Sequence, residues 1–124
     1  MQMSQEAVTA LKENFRLRRE HMLKLLDLEQ HWPVVGEWDE ELSQMQKLVQ
    51  AEHEILNALE TLMQKYPLPA STGEAFLAMI PPQERPEIER DLNLFRELTI
   101  LILDWHQKNA GQLNLRAEDL AQAL

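Results

Sequence analysis

The sequence predicts an all-α fold, an antiparallel bundle of three long helices with a short extra helix in the connection at residues 67–86. The chain contains only three glycines and six prolines, and they divide it sharply into segments. Within the long segments, apolar residues recur at intervals of three and four, which is the helical period. With 124 residues, 44% of them hydrophobic and 27% charged, the chain fits one globular domain spanning residues 1–124.

The first helix is predicted from about Ser4 to His31. Ser4 is a good N-cap, because its hydroxyl accepts a hydrogen bond from a free backbone N–H of the first turn. Pro33 disfavours helical geometry at Trp32, so the helix is expected to end there. The apolar residues of one face are Val8, Leu11, Phe15, Met22 and Leu25 or Leu26.

The second helix is predicted from about Glu37 to Tyr66. Acidic residues fill its first turns, where the helix dipole favours negative charge, so this cluster indicates a helix start rather than a ligand site. Its main apolar stripe has heptad-like spacing, which packs helices at shallow angles. The stripe comprises Trp38, Leu42, Met45, Val49, Leu56, Leu59, Met63 and Tyr66, and it is flanked by Leu48, Ile55 and Leu62.

Arg18 and Glu52 interrupt the apolar stripes of the first and second helices. If the two helices form an antiparallel hairpin with its tip near Val34, each of the two residues lies about 17 positions from the tip. Equal rise per residue then places both at the same height. The sequence therefore predicts that Arg18 and Glu52 form a structural polar pair, which sets the register of the helices more than it adds stability.

The connection at residues 67–86 is rich in proline and other turn residues. Residues 74–80 are predicted to form a short helix that packs on the bundle, because a structureless connection of this length is unusual in a compact domain. The third long helix is predicted from about Pro86 to Leu124, with a proline suited to its first turn and a local bend allowed at Gly111. Its main stripe comprises Phe95, Leu98, Ile102, Trp105, Leu113, Leu120 and Leu124.

Part of the third long helix is apolar on a second face. At 100° per residue, Ile100, Leu103 and Leu115 point away from its main stripe. A helix that is apolar on two faces is buried on both sides or keeps one face for a partner. The sequence leaves three explanations open: a binding surface, a homodimer contact, or cover by the element at residues 74–80.

No arrangement of residues that would carry catalysis or hold a metal or cofactor is evident. None of the four histidines lies three residues after a glutamate, as di-iron helical bundles require. His53-Glu54 is followed by Asn57 where the zinc-protease helix needs a second histidine. Arg18 on an apolar seam would suit a small helical mutase only with further inward cations, which the other stripes lack. We therefore predict a non-enzyme, without metal or cofactor, that binds another protein.

Charge and composition also limit the compartment and the partners. The net charge of −9 opposes direct binding to nucleic acid or to anionic membranes. The longest strongly apolar run, Leu98 to Leu103, is far too short to span a membrane. The chain has no cysteine, and its first residues do not resemble a signal peptide. The sequence therefore predicts a cytoplasmic protein.

Two stretches of the chain, residues 22–42 and 101–121, resemble the FliT family of flagellar type III export chaperones. The first is similar to that family's leucine-rich helix, short break and Trp-Asp opening of the second helix. The second is similar to its third helix, and the two stretches occur in the same order as in the family. The matching motifs are Met22-Leu23-Lys24-Leu25-Leu26, Gly36-Glu37-Trp38-Asp39-Glu40-Glu41-Leu42, Leu101-Ile102-Leu103-Asp104, Gln112-Leu113, Leu115-Arg116 and Glu118-Asp119-Leu120-Ala121.

The resemblance implies a cytosolic chaperone that binds the C-terminal helical segment of the flagellar filament-cap protein and delivers it to the export apparatus. For some members it also implies binding to the flagellar master transcription regulator. Family members often carry a short C-terminal helix that covers the binding surface, whereas this sequence stops at Leu124. We expect either that such a helix is missing or that residues 74–80 take its covering role.

On this interpretation, an apolar client helix lies in a groove of the bundle. Three residues of the second helix are expected to form one wall of this groove, and core packing is the alternative role for these three residues. The alternative function is a helical regulatory or scaffold protein that acts as a homodimer without chaperone activity. The residues predicted to contact the partner are Ile100, Leu103 and Leu115 on one wall and Leu48, Ile55 and Leu62 on the other.

Overall fold

The computed structural model of the protein describes residues 2–33, 38–66, 68–69 and 73–123, and over residues 112–123 it describes the backbone alone. The described chain forms four helices: α1 (Gln5–Gln30), α2 (Asp39–Lys65), α3 (Glu74–Met79) and α4 (Arg85–Ala123). This confirms an all-helical protein with three long helices and a short one in the connection. Each predicted helix boundary lies within two residues of the observed one.

The boundaries of α1 and α2 follow from local capping. The Ala7 backbone N–H donates to the Ser4 hydroxyl oxygen at 3.2 Å, and the Ser4 backbone is extended. The Trp38 indole donates to the Pro33 carbonyl oxygen at 2.8 Å, which ties the start of α2 to the residues that follow α1. The first turn of α2, residues 39–41, is wholly acidic and lies at the positive end of the helix dipole.

Contacts between α1 and α2 pair residues in opposite chain order. Asn14 Nδ2 donates to the Ile55 carbonyl oxygen at 3.0 Å. One turn further along α1, Arg18 Nε donates to Glu52 Oε1 at 3.0 Å. The contact that the sequence predicts between Arg18 and Glu52 is therefore present in the structure.

Contacts between α1 and the chain around the start of α4 pair residues in the same chain order. Lys12 Nζ lies 3.0 Å from Glu84 Oε2 and 3.1 Å from Glu87 Oε2, and Arg19 donates to Asp91 at 2.6 Å. The hydrogen bonds to Glu84 and Glu87 raise the pKa of Lys12 above its usual value. Over the described residues, α2 and α4 do not pack extensively on each other, so α1 joins the other two long helices.

The apolar core occupies the half of the molecule that contains the start of α1. Phe76 in α3 and the following Ile80 are fully buried, and the Met3 backbone N–H donates to the Met79 carbonyl oxygen at 2.6 Å. The short element at residues 74–80 is thus part of the core and leaves the second face of α4 exposed. The core residues are Met3, Ala7, Val8, Leu11, Phe15, Met22, Leu59, Phe76, Ile80, Ile88, Leu92, Phe95 and Leu98.

An aromatic pair marks the middle of the molecule, where this core ends. Phe15 of α1 and Phe95 of α4 meet edge to face, with ring centroids 5.3 Å apart. The Arg18 guanidinium lies 4.6 Å from the centroid of the Phe95 ring. Among the described side chains of α4, Leu98 is the last buried apolar one, and the next buried one is the polar Asn109. Beyond the aromatic pair, packing becomes polar and more open.

Candidate interaction surface

The second apolar face of α4 is exposed. Ile100 is 67% exposed and Leu103 is 55% exposed, and Leu101 between them is also exposed. This confirms the prediction that Ile100 and Leu103 point away from the core. Leu115, the third residue of the predicted wall, lies outside the described side chains.

The predicted second wall, Leu48, Ile55 and Leu62 of α2, is turned toward α1. Ile55 is 8% exposed, and its backbone carbonyl oxygen accepts the hydrogen bond from Asn14. Leu48 and Leu62 are partly buried. Ile55 therefore takes the alternative role that the sequence left open, core packing, and it presents no side-chain surface to a partner. The physical reason is that α1 packs against this part of α2, where Asn14 bonds to the Ile55 backbone.

Three residues of the main apolar stripe of α2 are exposed, although Leu59 of the same stripe is buried in the core. Leu42, Val49 and Leu56 are 49%, 40% and 38% exposed, and their seven-residue spacing places them on one face, two helical turns apart. We call these three residues the open seam. The sequence placed them in the bundle interior, but over the described residues α4 does not pack along this side of α2.

A small cavity lies at one end of the open seam, where α1, α2 and α4 approach one another. Its volume is about 90 Å³. Leu42 belongs both to this cavity and to the open seam, so the two form a continuous apolar surface. We call the cavity the Trp32 slot; its lining residues are Glu29, Trp32, Leu42, Met45, His106, Asn109 and Ala110.

A buried polar network forms the base of the Trp32 slot. Glu29 is 2% exposed, and its Oε2 accepts from Asn109 Nδ2 at 2.7 Å. Asn109 Nδ2 also donates to the Glu29 backbone carbonyl oxygen at 2.8 Å. Glu29 Oε1 lies 2.7 Å from His106 Nδ1.

Sequence analysis missed this network, although a signal for it existed. Glu29 follows Met22 and Leu25 on the apolar face of α1, and Asn109 follows Trp105 by four residues on the main stripe of α4. A polar residue on an apolar stripe is the signal that identified Arg18, and applied here it would have singled out Glu29 and Asn109.

A second, more open groove runs along the other side of the α1–α2 contact. Its volume is about 560 Å³, and charged and amide side chains form much of its lining. Its mixed polarity distinguishes it from the apolar Trp32 slot and open seam. The lining residues are Leu23, Lys24, Asp27, Leu28, Gln44, Lys47 and Leu48.

Other kinds of site are not seen in the described part of the chain. No group of three or more His, Asp or Glu side chains lies close enough there to hold a metal ion. None of the four helices is long and apolar enough, over the described residues, to cross a membrane. Comparison of the chain with protein-family models, curated proteins and solved structures gives no significant match. The class that the fold and surface define is therefore a helical protein with an uncovered apolar seam.

Proposed function

We propose that this protein is a cytoplasmic chaperone of flagellar type III export, which binds the C-terminal helical segment of the filament-cap protein along the open seam. The observation that carries the proposal is the exposure of Leu42, Val49 and Leu56 on one face of α2. A row of apolar side chains at helical spacing is what a partner helix uses in helix-in-groove recognition. On α4, the exposed Leu103 lies one turn before His106, which lines the Trp32 slot. Leu103 therefore extends the same surface.

The arrangement of the long helices supports a groove at this position. The opposite chain order of the α1–α2 contacts and the same chain order of the α1–α4 contacts favour an antiparallel, up-down-up bundle. With α1 joining the other two, a partner helix laid against the open seam supplies the neighbour that α2 lacks on this side. Burial of the seam then contributes roughly 25 cal/mol to the free energy of binding for each Å² of apolar surface removed from water.

The identity of the client rests on the resemblance of residues 22–42 and 101–121 to the FliT family. That resemblance also supports docking to the export apparatus and binding to a flagellar master regulator. The exposed Ile100 and Leu101 give α4 a further apolar patch for such contacts. The second candidate function is a regulatory or scaffold protein that forms a homodimer through this exposed α4 patch.

Calorimetric titration with the C-terminal segment of the same organism's cap protein tests the proposal. We expect binding in the micromolar range or tighter, and a loss of about tenfold in Leu56→Gln, since a tenfold change corresponds to about 1.4 kcal/mol. Leu17→Gln is the matched control, because Leu17 is 37% exposed on α1, against 38% for Leu56. Absence of binding at high micromolar concentration, with a dimeric mass in sedimentation, would favour the second candidate.

A further inference from the structure

We infer that the open seam is built for a basic partner helix with aliphatic side chains at seven-residue spacing, the first of which enters the Trp32 slot. This inference rests on the proposed function in one respect, namely that a helix of another protein occupies the seam. It adds the chemistry of that helix: its anchor residues, their spacing and its charge.

The size and lining of the Trp32 slot select an aliphatic anchor. An engineered apolar cavity of about 150 Å³ binds benzene, whereas the slot measures about 90 Å³, which favours an aliphatic anchor over an aromatic ring. Its walls are formed by Trp32, Leu42, Met45 and Ala110. The Glu29 carboxylate at its base is already held by His106 and Asn109, and the buried Trp32 indole N–H lacks an acceptor, so the slot offers an anchor mainly apolar contacts. An aliphatic side chain of leucine size is the best occupant.

The spacing of the seam sets the spacing of the anchors. Leu42, Val49 and Leu56 are separated by seven residues, or about 10.5 Å along the helix at 1.5 Å per residue. A partner helix that crosses α2 at a shallow angle presents side chains with the same heptad repeat. Contact along the whole seam therefore requires about 15 residues of partner helix with three aliphatic positions.

The charge of α2 selects a basic partner. The helix contains six acidic residues and two lysines, and since Arg18 neutralises Glu52, a net charge of −3 remains. Exposed carboxylates continue the seam at both ends, since Asp39 lies three residues before Leu42 and Glu60 lies four residues after Leu56. Lysine or arginine residues that flank the aliphatic stretch of the partner meet these carboxylates.

The same charge opposes a second copy of this chain as the occupant. A two-fold dimer places the same patch of both copies in contact, which brings the acidic α2 against itself. Residues 85–123 do not provide the occupant either, because they form one continuous helix, α4. A basic helix of another protein meets both conditions.

Synthetic peptides test the charge and the spacing directly. The probes are two 21-residue amphipathic peptides with leucine at the same heptad positions, one with lysine and one with glutamate at the polar positions. We expect the lysine peptide to bind at least tenfold more tightly by calorimetry at 50 mM salt. The Asp39→Asn/Glu60→Gln variant should lose at least threefold in affinity, and Glu54→Gln, an exposed change on another face of α2, should lose nothing. Equal affinity for both peptides, or equal loss in the two variants, overturns the charge assignment.

Filling the Trp32 slot with a larger side chain tests whether the first aliphatic residue of the partner helix enters it. Ala110→Leu should weaken binding of the lysine peptide at least tenfold, whereas Ala58→Leu on an exposed face of α2 should leave it unchanged. Phenylalanine in place of the leading leucine of the peptide should weaken binding to a similar degree. Unchanged affinity in Ala110→Leu, with circular dichroism showing a folded variant, overturns the slot assignment.

If the lysine peptide binds as described and the cap segment does not, the inference stands and the proposed client is wrong. If the cap segment binds wild type, Ala110→Leu and Asp39→Asn/Glu60→Gln alike, the client stands and the inference is wrong.

Discussion

The Arg18–Glu52 pair offers a quantitative test of how α1 and α2 are held in register. Its charged groups lie 3.0 Å apart, and the two side chains are 21% and 15% exposed. We propose a double-mutant cycle in which each residue is replaced by methionine, which keeps an unbranched apolar stem of similar length.

The expected magnitudes follow from what each substitution removes. Arg18→Met removes a charge-assisted hydrogen bond, worth about 1.5–3 kcal/mol, and the contact with the Phe95 ring, worth about 0.5–1 kcal/mol. It also leaves a largely buried carboxylate without its cation. Allowing for partial exposure, we expect a loss of about 2–3 kcal/mol in the free energy of unfolding. Glu52→Met should cost about 1.5–2.5 kcal/mol, because Arg18 keeps its ring contact.

The double variant should lie within about 1 kcal/mol of wild type, since two methionines replace a costly buried pair by apolar packing. The coupling energy, which is the sum of the two single losses minus the loss of the double variant, is then about 2.5–5.5 kcal/mol. Urea unfolding followed by far-UV circular dichroism measures all four free energies. Arg16 and Glu20 provide the control cycle, because they form a shorter contact of 2.6 Å on the exposed surface of α1. Exposed pairs of this kind couple by about 0.5 kcal/mol or less.

The reasoning fails if the Arg18–Glu52 coupling is no larger than the Arg16–Glu20 coupling. Such a result would mean that solvent screens the inner pair as effectively as the surface pair. The register of α1 and α2 would then rest on apolar packing around Ile55 alone.

Three further predictions concern stability. Asn109→Ala removes two hydrogen bonds, one of them to a buried carboxylate, and should cost about 2–4 kcal/mol in urea unfolding; a variant as stable as wild type contradicts the network. Lys12→Met should be less stable than wild type at pH 6–9, because the hydrogen bonds that Lys12 donates to Glu84 and Glu87 raise its pKa above the usual value of 10.5 in the folded protein. That stabilisation is complete below the unfolded pKa and is lost as pH rises through the folded pKa, so the two proteins should converge above about pH 10.5, and a gap that persists contradicts this origin. Gly111→Ala should raise helicity at 222 nm, with up to about 1 kcal/mol gained, because open space surrounds the added Cβ; reduced helicity contradicts this.

Element boundaries and one tertiary contact were predictable because local signals determine them. Ser4 caps α1 through its own hydroxyl, and Pro33 limits its other end, so both boundaries are encoded within a few residues. The Arg18–Glu52 contact required only a hairpin tip and equal rise per residue. Both arguments use information that a single helix or a single connection contains.

The side of α2 that stays open was not predictable in the same way. Ile55 and Leu56 are adjacent in sequence, and both belong to apolar stripes at helical spacing. Periodicity shows that each stripe exists, but it does not show which one α1 covers. That choice depends on where α4 lies relative to α2, which is a property of three helices together. The network of Glu29 and Asn109 was missed for a related reason, since its members lie 80 residues apart.

The division of the molecule into two halves explains how the open seam can coexist with a stable fold. Buried apolar residues are concentrated where α1 packs against α3 and against the part of α4 that ends at Leu98. In the other half, the network of Glu29 and Asn109 joins α1 to α4 without any need for α4 to reach α2. Leu56 keeps 38% of its surface exposed, which leaves this part of the side chain available for binding. Leu56→Gln should therefore lower the free energy of unfolding by about 1 kcal/mol, no more than the matched Leu17→Gln, while only Leu56→Gln weakens partner binding. A much larger loss of stability in Leu56→Gln than in Leu17→Gln would show that the seam belongs to the core.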